Sequence, residues 1–380
     1  MALFQGLEIS GFRNLRDVQF QPHPKLNFFA GANGAGKTAV LEAIHYLVRG
    51  KSFRSVQPQD LIGRDAEQLL VRASLKLEHS DHAPVEAAVL RPRQRRQQVR
   101  WRGESASSFS KVSSGVPLQV FLPSLSDLVF GGPGERRKWL DWGAFHVEHR
   151  YLEHWRSYTK CLQQRNALIK QASERQQLVR SPEFRAFTDA MIGAADAVTG
   201  ARLSYLACWR PFFESRLQQL VTGSALAQMP ELNFRPLGSS KSLSLQELLV
   251  ESASRELKSG ITVYGPHRAD CELLLENLPL ASAASRGQGK LIALAMMIAQ
   301  ADVIADRTGV SSVFLMDDLD AELDEKARSR LYQALSECRA QVFITGVRPG
   351  PDKKDASPAS LPDSYALFHV KQGSVTQETV

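Results

Sequence analysis

Apolar positions follow the period of a strand at the start of the chain and the period of a helix soon afterwards. Leu3–Phe12 and Val18–Phe20 carry apolar residues at strand-like intervals, which predicts an early hairpin. Leu26–Ala30 is a short, mostly apolar run that predicts a buried strand. A glycine-rich loop follows, after which apolar residues recur at helical spacing at Val40, Ala43, Ile44, Leu47 and Val48. The chain therefore begins with the pattern of a strand, a loop and an amphipathic helix.

The middle of the chain differs in character from its two ends. Residues 136–257 are rich in Leu, Ala, Gln, Arg and Glu and carry few strand signals. Helical periodicity extends over Glu148–Gln171, Phe184–Thr199 and Ala201–Val221. This composition predicts an inserted α-helical lobe that covers residues 131–257.

Strand and helix signals alternate again after the insertion. The predicted elements are strands Ile261–Tyr264 and Cys271–Leu275, helix Gly289–Asp302, strand Val313–Met316, helix Asp324–Ser336 and strand Gln341–Thr345. Alternation of this kind is typical of an α/β protein. We therefore predict an α/β lobe built from residues 1–130 and 258–380.

Composition narrows the classes of function without choosing among them. The 380 residues include 47 Lys and Arg against 40 Asp and Glu, and the net charge of +7 permits a nucleic-acid partner without requiring one. The four cysteines are Cys161, Cys208, Cys271 and Cys338. They form no CxxC pair, which disfavours a zinc site or a disulfide framework. Met1–Ser10 does not resemble a signal peptide, and the longest apolar run, Leu291–Ala299, is too short to span a bilayer. We therefore expect a cytoplasmic protein with no membrane partner.

The loop between the first buried strand and its helix matches the phosphate-binding pattern G-x-x-x-x-G-K-[ST]. Its residues are Gly31, Ala32, Asn33, Gly34, Ala35, Gly36, Lys37 and Thr38. The glycines let successive backbone N–H groups point at phosphate oxygens, and the helix presents its positive end. In this pattern Lys37 reaches the β- and γ-phosphates of ATP as a catalytic group, and the Thr38 hydroxyl ligates Mg²⁺. The flanking strand and helix disfavour the alternative of a chance glycine-rich turn.

A carboxylate pair follows another apolar strand. Val313–Met316 ends in Asp317 and Asp318, and we expect this strand to lie beside the P-loop strand. Asp317 would then bind Mg²⁺, and Asp318 would act as the general base that orients and polarises the attacking water. The alternative is an acidic turn that is merely solvated at the surface.

A Ser and a Gly precede the helix predicted near Gly289. The motif is Ser285, Arg286, Gly287 and Gln288, and a helix N-terminus of this kind attracts anions. Taken alone, it is equally typical of an ordinary helix cap. Together with the Asp317 strand and the segment that ends in Asp324, it resembles the signature motif of ABC-type P-loop ATPase heads.

This resemblance implies an ATPase head with a mixed sheet, in which the signature residues complete the ATP site of a second subunit. It also implies that Asp324 belongs to the D-loop. Three positions depart from the usual ABC pattern: Ala284 replaces a Leu, Arg286 replaces a Gly, and Thr345 stands where a switch histidine is common. Gln119 is one candidate for the Q-loop glutamine.

Further motifs, in the same order along the chain, are similar to those of the RecF family of recombination mediators. They are Gly11-Phe12-Arg13-Asn14-Leu15, Gly50–Ser55, Gly131–Pro133, Arg136-Arg137, Leu140–Gly143, Gln164–Asn166 and Gly265–Asp270. The interval between Lys37 and Asp317 leaves no room for the long coiled coil of SMC proteins.

The RecF resemblance implies that Arg13 and Asn14 contribute to ATP binding. It also implies a homodimer that ATP assembles on gapped DNA or at junctions of single- and double-stranded DNA. Weak, DNA-stimulated hydrolysis would release the DNA. The implied partners are RecR- and RecO-like mediators and the recombinase that they help to load.

Two groups of basic residues are candidates for DNA contact. Arg54 resembles the DNA-sensing arginine of SMC-like heads, with a surface ion pair as the alternative. Arg93, Arg95, Arg96 and Arg100 lie in a polar stretch that predicts a hairpin whose alternate arginines share one face. The alternative for this stretch is a solvated hairpin tip.

Two other functions remain open from the sequence. One is a short ABC-type ATPase that serves a transporter or nuclease chain, and the other is an ATP-gated scaffold without useful hydrolysis. ATP turnover measured with and without gapped DNA would separate them.

Overall fold

The computed structural model describes residues 3–54, 57–77, 84–171, 181–222, 228–318, 323–346 and 365–378. The strands are β1 (Leu3–Phe12), β2 (Leu15–Phe20), β3 (Leu26–Ala30), β4 (Gln68–Lys76), β5 (Val85–Pro92), β6 (Gln98–Trp101), β7 (Glu104–Ala106), β8 (Leu118–Phe121), β9 (Glu231–Arg235), β10 (Asp270–Leu275), β11 (Leu278–Pro279), β12 (Ser312–Met316), β13 (Ala340–Gly346), β14 (Tyr365–Lys371) and β15 (Ser374–Glu378). The helices are α1 (Lys37–Arg49), α2 (Ser110–Gly115), α3 (Asp127–Phe130), α4 (Pro133–Val147), α5 (Tyr151–Gln171), α6 (Pro182–Val221), α7 (Leu245–Ser259), α8 (Leu280–Ala283), α9 (Arg286–Thr308) and α10 (Glu325–Glu337). The predicted α/β class is confirmed.

The chain divides into two compact units. The first contains Met1–Leu125, Ser215–Ser224 and Leu294–Val380, and the second contains Ser126–Glu214 and Ala225–Ala293. This division differs from the predicted lobes, because residues 258–293 fall in the second unit. The reason is strand pairing: β10 pairs with β9, which lies inside the predicted insertion.

Two six-stranded sheets form the first unit. One is antiparallel, in the order β2-β1-β4-β5-β6-β7, and confirms the early hairpin and the hairpin of the arginine-rich stretch. The other, here called the central sheet, has the order β15-β14-β3-β13-β12-β8. Its strands β14, β3, β13, β12 and β8 run parallel, and β15 returns antiparallel to β14. The carboxyl ends of the parallel strands therefore share one edge.

Helix α1 packs against strands of both sheets of the first unit. Nearly all of its residues are buried, including Glu42 and His45. The sequence predicts an amphipathic helix, which needs only one buried face. Contact with two sheets buries the polar face as well, so Glu42 must find partners inside the protein.

The second unit combines helices with a small antiparallel sheet, in the order β11-β10-β9. It is therefore not purely helical as predicted. The two helices predicted over Phe184–Thr199 and Ala201–Val221 are one helix, α6, since a single glycine at position 200 costs only about 1 kcal/mol inside a helix.

Two further differences concern the end of the predicted insertion. Ile261–Tyr264 is not a strand. Helix α7 was not predicted, although its capping box between Ser244 and Glu247 is a sequence signal for a helix start. Helix α9 is long and apolar enough by length and composition to cross a membrane, but 89% of its apolar window is buried inside the protein, as in a core helix.

Candidate nucleotide-binding site

The glycine-rich loop curls between β3 and α1 as its sequence requires. Gly34 and Gly36 have φ angles of 78° and 118°, in the left-handed region that favours glycine. Gly36 caps the N-terminus of α1. The Lys37 ammonium donates to the carbonyl oxygens of Gly31 at 2.8 Å and Ala32 at 3.2 Å, which folds it back over the loop. This places the ammonium and the helix N-terminus around one anion-sized concavity.

The metal-binding residues predicted from the two motifs meet directly. The Thr38 hydroxyl donates to Asp317 Oδ1 at 2.9 Å. However, β12 is not adjacent to β3 as predicted, because β13 lies between them in the central sheet. The end of β13 supplies Thr345, whose buried hydroxyl donates to Asp317 Oδ1 at 2.8 Å and accepts from the backbone N–H of Asp318 at 3.1 Å. Thr345 thus holds both carboxylate residues in place.

These oxygen atoms fit a magnesium ion. Mg²⁺ prefers hard oxygen ligands and usually completes its shell with phosphates and water rather than with a full protein cage. In the residues that the structure describes, there is no group of three or more His, Cys, Asp or Glu side chains that would hold a metal by itself. The Thr38 oxygen can give a lone pair to the ion while its hydroxyl proton continues to be donated to Asp317 Oδ1. Thr38 and Asp317 are therefore the residues that would hold Mg²⁺.

Asp318 has a strained backbone and a perturbed carboxyl. Its φ angle of 48° lies in the left-handed region, which is uncommon for a residue other than glycine. Partial burial, followed by the nearby Asp317 carboxylate, raises the pKa of Asp318, while Lys37 and Arg54 act in the opposite direction. A carboxylate whose basicity is raised by its surroundings suits the predicted role of general base.

Arg13 and Asn14 brace the loop and its helix. The Asn14 amide donates to the carbonyl oxygens of Gly34 and Ala35 at 3.3 and 3.1 Å. The Arg13 guanidinium makes a two-pronged ion pair with the buried Glu42 carboxylate, at 2.8 and 3.0 Å. That ion pair is the largest of the effects that raise the pKa of Arg13. Both residues line the cavity described next, and their contact with ATP stays a prediction.

A cavity of about 1880 Å³ opens in front of the loop. Its lining includes Arg13, Asn14, Asn33, Gly34, Gly36, Lys37, Thr38, Arg54, Arg64, Arg93, Asp318 and Gln372. This volume exceeds the roughly 300–1,000 Å³ of ordinary small-molecule sites, so a nucleotide fits with room to spare. The charged side chains of the lining are of both signs, with more cations than acids: Arg13, Arg16, Lys37, Arg54, Arg64 and Arg93 against Glu42, Asp60, Asp65 and Asp318.

The residues predicted to contact DNA occupy different environments. Arg54 is exposed and lines the cavity near Asp318. Arg93 is already engaged, because its guanidinium donates to Gly63 O at 2.6 Å and Ala66 O at 2.8 Å. Arg95 and Arg96 are exposed in the β5–β6 turn, and Arg100 is exposed on β6. Contact between these side chains and DNA stays a prediction.

The signature residues begin helix α9 in the second unit. The Ser285 hydroxyl accepts from the N–H of Gln288 at 3.3 Å, and the Gln288 side chain accepts from the N–H of Ser285 at 2.8 Å. This is a capping box, so the cap interpretation is correct for these two residues. Ser285, Arg286 and Gly287 are nevertheless exposed, and a ligand or partner can reach them. Asp324 caps α10 through the Ala327 N–H at 2.8 Å, and residues 319–322 of the D-loop lie outside the described residues.

Gln119 does not fit a Q-loop role. It is buried in β8, its amide faces Gln300 at 3.4 Å, and it is not among the residues that line the cavity. Although β8 is an edge strand of the central sheet, Gln119 pairs with Phe314 in the middle of β12, away from the carboxyl end that carries Asp317.

Sequence reasoning missed two contributors to the site. One is Glu42, and a lone acid among the apolar positions of the P-loop helix was the available signal. The other is Gln372, which lies in a turn that matches none of the motifs described above.

Comparisons with known proteins agree with this geometry. Residues 3–357 match the family model described as RecF/RecN/SMC N terminal domain. The DNA replication and repair protein RecF of Thioalkalivibrio sulfidiphilus is 37% identical, over 97% of this chain and 98% of that protein. The protein of the same name from Shewanella baltica is 34% identical over the same shares of both chains.

Solved structures show the same fold. A structure of the recombination mediator protein RecF with ATP in the RecFOR pathway has a TM-score of 0.81 at 23% identity, covering 100% of this chain and 98% of that one. An Smc head bound to the C-terminal winged-helix domain of ScpA has a TM-score of 0.58 at 15% identity, covering 100% of this chain and 97% of that one. The predicted ABC-type head is therefore confirmed as a fold. The family match and the two relatives together establish that the chain belongs to the RecF family of DNA replication and repair proteins.

Proposed function

We propose that this chain is an ATP-dependent DNA-binding protein of recombinational repair. The observation that carries the proposal is the hydrogen bond from Thr38 of the phosphate loop to Asp317, 279 residues further along the chain, beside the cavity that Lys37, Thr38 and Asp318 line. The names of its relatives support a role in DNA replication and repair. The known RecF structures with ATP and its thio analogue support ATP as the nucleotide.

Within this site, the backbone N–H groups of the loop and the Lys37 ammonium bind the β- and γ-phosphates. Thr38 and Asp317 would hold Mg²⁺, which would supply positive charge beside the phosphate oxygens. Asp318 orients water for attack on the γ-phosphate, and Thr345 fixes the position of Asp318. One general base without a switch histidine is consistent with slow hydrolysis.

A second copy of the chain completes the site. Ser285, Arg286 and Gly287 are exposed at the N-terminus of a helix of 23 residues, which is a suitable donor of N–H groups to an anion. The γ-phosphate of one copy would be bound by these residues of the other. ATP would thereby hold a homodimer together, and hydrolysis would release it.

DNA is the macromolecular partner in this proposal. Arg54, Arg95, Arg96 and Arg100 are exposed cations that can neutralise backbone phosphates. Gapped DNA and junctions of single- and double-stranded DNA are the proposed targets, and RecR- and RecO-like mediators with a recombinase are the proposed partners. The cytoplasm remains the expected location.

The test measures molecular mass and DNA affinity together. Light scattering gives the mass with and without ATP and Mg²⁺, and fluorescence anisotropy gives the affinity for a gapped duplex under the same conditions. We expect the mass to double and DNA binding to tighten with ATP. Lys37→Arg is the matched control, because a planar guanidinium cannot replace the compact ammonium, and it should abolish both effects. If ATP changes neither quantity for the unmodified chain, the clamp model is wrong and a subunit of a larger ATPase or a scaffold becomes the better explanation.

A further inference from the structure

The hairpin formed by β14 and β15 meets the phosphate-binding loop, although it lies outside the matched part of the family model, which ends at residue 357. β14 runs parallel to β3, the strand that leads into the loop. The hairpin turn, Gln372-Gly373, therefore lies at the same sheet edge as the loop. No motif in the sequence assigns a function to this hairpin.

Two close approaches fix the hairpin against the loop. The Gly373 N–H donates to Ala35 O at 2.9 Å, within the phosphate-binding loop. A Cβ atom at Gly373 would lie 2.0 Å from Asn14 O, and one at Gly31 would lie 2.3 Å from Val370 O. These positions accept only glycine, because the opposing atoms belong to the backbone. The backbone of the hairpin is thus packed directly against the backbone of the loop.

Gln372 stands on this surface and faces the cavity. It has a φ angle of 49°, and two of the other non-glycine residues with positive φ, Arg13 and Asp318, line the same cavity. Its side chain is exposed on the cavity wall. Positive φ at Gln372 and Gly373 is the usual geometry of a two-residue hairpin turn, so it is the position of Gln372 on the cavity wall that makes it a candidate. The amide is thus available to a ligand that enters the cavity.

We propose that Gln372 binds the nucleoside part of ATP, as a contact supplied by the β14–β15 hairpin. The phosphates already have the Lys37 ammonium and the N–H groups of the loop. A neutral amide offers both a donor and an acceptor, which suits ribose hydroxyls or the edge of the base better than a phosphate. This inference rests on the proposed function of the site as an ATP site.

The decisive variant is Gln372→Gly. Glycine removes the amide and adopts positive φ freely, so the thermal midpoint should not fall and misfolding cannot explain a loss of binding. Kd values are measured by calorimetry for ATP, dATP, GTP and inorganic tripolyphosphate. We expect the Kd for ATP to rise about 3–10-fold, as for the loss of one neutral hydrogen bond, with tripolyphosphate unchanged.

The nucleotide series tells which contact is made. A smaller difference between ATP and dATP in the variant indicates the ribose, and a smaller difference between ATP and GTP indicates the base. Glu276→Gly is the matched control, because Glu276 also has positive φ, at 52°, in a hairpin turn of the second unit that does not line the cavity. It should leave all four Kd values unchanged.

Three results would overturn the inference. They are an unchanged Kd for ATP in Gln372→Gly, an equal loss for tripolyphosphate, or an equal loss in Glu276→Gly. Failure of the unmodified chain to bind ATP at all would instead refute the proposed function, so the two failures are distinguishable.

Discussion

The cavity of the first unit and the interior of the second unit use charged residues in opposite ways. Inside the second unit, the Arg165 guanidinium lies 2.7 Å from the Glu256 carboxylate, and both side chains are at most 4% exposed. Arg136 pairs with Asp270 at 2.7 Å in a similar environment. In the first unit, Lys37 and Asp318 instead face an open cavity. Charged side chains are thus paired with one another inside the second unit, whereas Lys37 and Asp318 of the first unit line a cavity that a ligand can enter.

This difference separates two kinds of family motif. Arg136, Arg165 and Asp270 belong to motifs that carry the resemblance to RecF, yet each is buried and paired within its own unit. Their partners and their burial explain them as parts of the fold. Lys37 is itself only 5% exposed, but it lines the open cavity together with Thr38 and Asp318, and Asp318 has a raised pKa. Such features mark a site for chemistry rather than for stability.

Replacement of Asp318, the proposed general base, tests whether the cavity of the first unit performs chemistry. It has the largest expected effect. Asp318→Asn should lower kcat for ATP hydrolysis about 10²–10⁴-fold, the usual contribution of a positioned base, with ATP binding and dimerisation retained. Steady-state turnover and nucleotide titration check this. Asp306→Asn, an exposed residue of α9, is the control. Full turnover in Asp318→Asn would remove Asp318 from the role of base.

Removal of one buried charge tests the structural side. Arg165→Met should lower the free energy of unfolding by about 3–5 kcal/mol, because the Glu256 carboxylate is left buried without its counter-ion. Urea unfolding measures this loss.

The double variant Arg165→Met/Glu256→Gln is the control for that loss. It removes the stranded charge and keeps an acceptor for the Val263 N–H, so it should recover much of the stability. A loss below about 1 kcal/mol in the single variant would show that the ion pair is not structural.

A fall in pH should destabilise both units, each through one buried histidine. Burial lowers the pKa of His45 in the first unit and of His267 in the second from 6.5 to about 4. The unfolded chain takes up these protons as the pH falls below about 6.5, and the folded chain does not. Each histidine should therefore cost about 2–4 kcal/mol of stability as the pH falls from about 6.5 to 4.

Urea unfolding of His45→Asn and His267→Asn at several pH values checks this effect. Each variant should flatten the pH dependence in that interval. An unchanged slope in either variant would show that its histidine is not held neutral by the fold.

Local sequence patterns predicted much of the first unit. The loop needs only a strand, glycines and a helix in succession, and all three are visible within about two dozen residues. The boundaries of β12 and α10 agree with the prediction closely, at Ser312–Met316 and Glu325–Glu337, because each is a short element with clear periodicity. The second unit was predicted less well, because β9 interrupts a stretch whose composition is helical overall and pairs with β10 beyond it.

By itself the sequence determined the phosphate loop, the carboxylate pair and membership of the RecF family, since each depends on residues that are neighbours along the chain or on motifs in a fixed order. Only the tertiary structure decided that β13 separates β3 from β12, so that Thr345 ties Asp317 to Asp318. It also decided that Gln372 lines the cavity. The physical reason is that strand order and side-chain pairing depend on contacts between residues far apart in the chain. The hydrophobic period, which repeats every two to four residues, does not encode such contacts.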